Sequence, residues 1–155
     1  LLDKEVVQKI VKEQYKMKIP ITTIGDYLKK WGVNSNFIKE FENEFLEKVG
    51  IDDFQSMKQE IIKRKGIIIW ITIMNYELEK GINICSISTR AAKNKLIFKF
   101  YGKWIEPIDL IEFINQVATS FKKHVYAIFS TKSIEFIHNS YQFENSENIT
   151  FMYDS

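Results

Sequence analysis

Ile67-Ile68-Ile69-Trp70-Ile71-Thr72-Ile73-Met74 decides how this chain is built, because the run can be read as a strand or as the tail of a long helix. Its side chains are mostly β-branched, which favours extended backbone. Both alternating faces are apolar, so such a strand would be central in its sheet and covered on two sides. The competing reading continues a helix from about residue 53 to the stop-like Lys80-Gly81. The strand reading is the one carried forward, and it makes the protein α+β.

Downstream, Ile82 to Trp104 reads as a β-hairpin. In Lys95-Leu96-Ile97-Phe98-Lys99-Phe100-Tyr101-Gly102-Lys103-Trp104 the even positions are apolar or glycine and the odd positions are largely basic or amphipathic. That period of two marks a half-buried strand. With Lys93-Asn94 as a two-residue turn, Ala92 pairs with Lys95, Thr89 faces Phe98, Ile87 faces Phe100 and Cys85 faces Gly102. This register gathers Ser86, Ser88, Arg90, Lys95, Lys99, Tyr101 and Lys103 on one wet face. A slip of one residue would invert every side chain.

Upstream, the spacing predicts four helices. Residues 3–18 bring Val6, Val7, Ile10 and Val11 to one face, with Pro20 as a stop. Residues 23–31 follow, with Thr23 as N-cap, Asp26 in capping-box spacing and Gly32 as terminator. Residues 35–48 carry Phe37, Phe41 and Phe45 at i, i+4, i+8, and residues 53–65 bury Phe54, Met57 and Ile61. After the hairpin, Pro107 opens a helix whose stripe is Leu110, Ile114, Val117, Ala118 and Phe121. Val125–Phe129, Ser133–Ile137 and Ile149–Tyr153 read as strands, with a polar loop from Asn139 to Asn148. The expected architecture is an N-terminal helical subdomain (1–65), then an antiparallel or mixed sheet backed by one helix (66–155), the two forming one unit.

With 45% hydrophobic and 14% aromatic residues, a packed core is expected and disorder is not. A net charge of +2 does not by itself call for nucleic acid, but from Thr89 to Ile105 there are five basic residues and no acidic one. The lone Cys85 cannot form an internal disulfide, which suits a reducing, cytoplasmic setting. No run is long enough for a membrane span. A start at Leu1-Leu2 reads as a piece of a longer protein.

Chemistry-bearing patterns are sparse. His124 and His138 have no Cys, Asp or Glu at ligand spacing, so no metal is expected. Cys85 lies in a predicted strand, as an inert core thiol does. Asp52-Asp53 reads as a helix cap, and no phosphate loop or GxGxxG suggests a cofactor. The second and third predicted helices have helix-turn-helix spacing, but Glu40, Glu42, Glu44 and Glu47 would repel a phosphate backbone. No catalytic signature is found. The remaining candidate is the hairpin: Arg90, Lys95, Lys99 and Lys103 to engage phosphate, Tyr101 and Trp104 to stack on bases. The bland reading is that these lysines solubilise a sheet face.

A hairpin bearing Lys99, Tyr101 and Trp104, followed by the Pro107 helix, resembles over residues 66–137 the cap-binding regions of segmented negative-strand RNA virus polymerases. The resemblance implies a viral protein in which two aromatics sandwich a methylated guanine and an acidic residue reads its edge. The expected function is a non-enzymatic RNA- or nucleotide-binding module. The alternative is a protein-interaction or regulatory module that docks a partner or self-associates through its helical part.

Overall fold

A computed structural model describes residues 3–32, 38–78, 81–91, 96–130, 133 and 144–152. Four helices come first: α1 (Asp3–Tyr15), α2 (Ile21–Trp31), α3 (Ile38–Val49) and α4 (Ile51–Lys63). Then follow β1 (Ile67–Glu77), β2 (Asn83–Ala91), β3 (Leu96–Tyr101), α5 (Pro107–Phe121), β4 (Val125–Phe129) and β5 (Ile149–Met152). The strands form one five-stranded sheet in the order β3-β2-β1-β4-β5. β1–β2 and β2–β3 are antiparallel, whereas β1–β4 and β4–β5 are parallel. The fold is therefore α+β with a mixed sheet, and Ile67–Met74 is strand, in the central position its two apolar faces require.

Each face of the sheet has its own cover. Odd positions of β1 (Ile69, Ile71, Ile73) share a core with Ile87, Val125, Ala127, Ile149 and the stripe Leu110, Phe113, Ile114, Val117 and Ala118 of α5. Even positions face the N-terminal helices in two separate clusters. Tyr76, Ile84 and Phe100 pack with Val7, Val11 and Ile24 of α1 and α2. Trp70 and Ile128 pack with Phe41 and Phe54 of α3 and α4. Burying one such aliphatic side chain stabilises the fold by about 1.5–3 kcal/mol, so helices and sheet depend on each other.

Several boundaries differ from expectation. α2 starts at Ile21 with Pro20 as its N-cap and no side-chain cap bond, so Thr23 and Asp26 form no capping box. α4 is entered through Gly50 at φ 87, which places Asp52 and Asp53 in its first turn, where they complement the helix dipole. α5 is well defined at its start. Glu106 and Asp109 form a reciprocal capping box around Pro107, and Ile105 and Leu110 occupy the hydrophobic-staple positions in one core cluster. The strand expected at Ser133–Ile137 lies outside the described residues apart from Ser133, which is helical, and the Lys93-Asn94 turn lies wholly outside them.

The outer edge of β5 is closed by the segment that precedes it. The Phe151 N–H donates to Asn145 Oδ1 at 2.8 Å, and the Ile149 carbonyl accepts from the Ser146 N–H at 2.9 Å.

Candidate nucleic-acid interface

The β2–β3 register is one residue away from the expected one. Arg90 pairs with Leu96, Thr89 with Ile97, Ile87 with Lys99 and Cys85 with Tyr101. The slip divides the expected wet face in two. Ser86, Ser88 and Arg90 point toward the N-terminal helices and are buried, at 0%, 3% and 5% exposure. Lys99 and Tyr101 point the other way, with α5. Arg90 therefore does not belong to the lysine surface, and Lys95 lies outside the described residues.

The inward group forms part of a polar band across the middle of the sheet, between the two apolar clusters of that face. Thr72 is the cross-strand partner of Ser88, and the buried Ser130 sits beyond the end of β4. There β4 stops pairing at Ile71 while β1 runs on to Glu77, leaving main-chain groups of β1 to be satisfied. Ser130 N–H donates to the Ile71 carbonyl at 2.9 Å. Ile73 N–H donates to Ser133 Oγ at 2.9 Å, Ser133 Oγ lies 2.7 Å from Ser130 Oγ, and Ser130 Oγ donates to Thr72 Oγ1 at 3.0 Å. These hydroxyls extend the ladder beyond the last residue of β4, a structural task.

The outward group occupies the end of β3 and the approach to α5. Lys99 is exposed and its Nζ lies 5.2 Å from the centroid of the Tyr101 ring. Such a cation–π contact contributes about 0.5–1 kcal/mol at an exposed site. Tyr101 is half-buried against the α5 core, and burial, with Asp109 and Glu112 nearby, pushes its phenol up to about 12. Lys103 Nζ is 3.0 Å from Asp109 Oδ2, which also accepts the Glu106 N–H at 3.0 Å. Partial desolvation would raise the Asp109 carboxyl, but the Glu106 N–H and the Lys103 ammonium outweigh it and hold the group below the usual range. Trp104, expected on the dry side, is 64% exposed. Lys99, Tyr101, Lys103 and Trp104 thus share one end of the sheet, while Glu106, Asp109 and Glu112 beside them temper the positive field.

Other chemistry-bearing groups are held structurally. His124 Nδ1 hydrogen-bonds the Glu147 carbonyl at 2.7 Å and its Nε2 is 2.7 Å from Thr150 Oγ1. The Cys85 thiol is buried, 3.4 Å from Asn75 Oδ1, and burial raises its pKa. Among the described residues no cluster of three His, Cys, Asp or Glu could hold a metal, and no helix is long and apolar enough to cross a membrane. No family model, curated protein or solved structure matches this chain.

Proposed function

We propose that the chain binds RNA or a nucleotide, non-enzymatically, through the exposed indole of Trp104 with Lys99, Tyr101 and Lys103 beside it. One observation carries the reading: a tryptophan 64% exposed, within five residues of two exposed lysines and a half-exposed tyrosine, at the rim of a well-anchored helix. A stacked base contributes about 1–3 kcal/mol at such a ring. Two lysines engaging phosphate give a slope of about −1.4 for log K against log salt on a single strand. The virus-polymerase resemblance adds a capped RNA end to the ligands worth trying, and a lone buried thiol accords with a cytoplasmic setting.

Tryptophan fluorescence tests the reading cleanly. Trp70 is buried and Trp31 is stacked on Tyr76 at 4.3 Å, so quenching by added nucleotide reports on Trp104. Quenching reversed by salt and lost in Trp104→Phe is the expected result. Lys99→Glu with Lys103→Glu should abolish binding and leave the circular dichroism unchanged. Binding that survives the double change would refute the proposal.

The protein-interaction alternative would use the 35–48 helix or the N-terminal helix, and two phenylalanines of the 35–48 helix pack inward. Phe41 is buried, and Phe45 packs edge-on against Phe54 and Trp70 at 5.5 and 6.2 Å, while Phe37 lies outside the described residues.

A further inference from the structure

We infer that the ligand is an extended single strand of RNA, tracking from Trp104 across to a row of lysines at the end of α1; this rests on the reading proposed above. α1 lies against the loop that carries Trp104. A Cβ on Gly102 would fall 2.7 Å from both Ile10 Cγ2 and Gln14 Cγ, so the helix and the residues before Trp104 are in direct apposition. The outer side of α1 and the residues after it form a shallow groove lined by Lys9, Lys12, Glu13, Lys16, Met17 and Lys18. Lys9 is 4.0 Å from Glu13, both well exposed, a pair of little energetic consequence. Lys12, Lys16 and Lys18 are exposed and belong to no ion pair found among the described residues.

Basic residues at a helix C-terminus are favoured by the dipole alone. What makes this row a candidate path is its position: the width of α1, about 10–12 Å, separates it from Gly102, two residues before the stacking residue. A mononucleotide held at Trp104 cannot bridge that width, whereas a polyanion of several phosphates can. The partner chemistry follows from the pairing of a flat exposed indole with successive exposed ammonium groups, the combination that holds single strands without base-specific readout.

The test compares uridine monophosphate with an oligouridylate of about twelve nucleotides, within the roughly 4–16 nucleotides such sites span. With Lys99, Lys103, Lys12, Lys16 and Lys18 engaged, the oligomer should show a salt slope of about −3.5, a loss of roughly 130-fold between about 50 and 200 mM salt. In the full chain carrying Lys12→Gln, Lys16→Gln and Lys18→Gln the slope should fall to about −1.4, roughly a sevenfold loss, with monophosphate binding unchanged. An oligomer slope already near −1.4 and indifferent to the triple change overturns the α1 path while leaving the Trp104 site standing. Absence of Trp104 quenching by either ligand overturns the site itself. Binding of phosphatidylserine vesicles that needs the three lysines, with no oligomer binding, would assign the groove to a membrane surface and overturn the inference.

Discussion

Ser133→Ala offers the sharpest test of how the central strand is completed beyond β4. The Ser133 hydroxyl accepts the Ile73 N–H at 2.9 Å, and its own proton is available to Ser130 Oγ at 2.7 Å or the Ile71 carbonyl at 3.3 Å. Ser133 and Ser130 are 0% and 2% exposed, and Ile73 is 1% exposed. Removing the oxygen leaves a buried main-chain donor without its acceptor, which costs about 1–3 kcal/mol. For a chain of this size that corresponds to a fall in melting temperature of about 2–4 °C per kcal/mol. Thr72→Val is the matched comparison. It removes the last acceptor of the relay, but the Ser130 proton can turn to Ser133, so its cost should stay below about 1 kcal/mol. Urea denaturation of both variants and the double variant measures each cost and their coupling. Equal losses, or a Ser133→Ala loss below about 0.5 kcal/mol, would refute the relay as drawn.

Further expectations concern the hairpin and its supports. Arg90→Gln should leave oligonucleotide binding unchanged while lowering the urea midpoint, because the side chain is buried on the helical face; weakened binding without destabilisation would restore the expected register. As pH falls through the depressed pKa of Asp109, below about pH 4, the wild type should lose a stability increment that is fully present at neutral pH and that Asp109→Asn lacks in urea titrations. At the alkaline end the sign reverses. The Tyr101 phenol is raised from 10.0 to about 12, so its contribution is intact below 10.0 and lost as pH rises toward 12, a step Tyr101→Phe should remove from an ultraviolet titration. Gly66→Ala would place a Cβ 2.5 Å from the buried Tyr126 ring and should destabilise by about 1–3 kcal/mol, read by thermal melting.

The architecture was legible where one physical preference dominated. The β-branched run at 67–74 gave the central strand, and the stripe Leu110–Phe121 gave the helix behind it, down to Pro107 as its first residue. The register of β2 against β3 was not legible, and the reason lies in the even face of the sheet. Serine and arginine were read as solvent-facing because they are polar, yet Ser86, Ser88 and Arg90 are inside, in a band between two apolar clusters. β3 gave no correction, since Ile97 and Tyr101 on one side and Phe100 on the other are all apolar enough to be covered, and both sides are. The lysines of α1 carry no local signal of binding, since the helix dipole by itself favours basic residues near a C-terminus. Their relation to Trp104 depends on the contact of α1 with Gly102, some ninety residues away in the chain, which no local pattern encodes.

The sealed rim at β5 constrains how copies of this protein can meet. Asn145 and Ser146 already occupy the Phe151 amide and the Ile149 carbonyl that a visiting strand would need, so end-to-end growth of the sheet is blocked there. Strand addition is thereby left to the opposite edge of the sheet, β3. Asn145→Ala would unlatch the β5 rim and should show first as concentration-dependent light scattering, well before any loss of secondary structure.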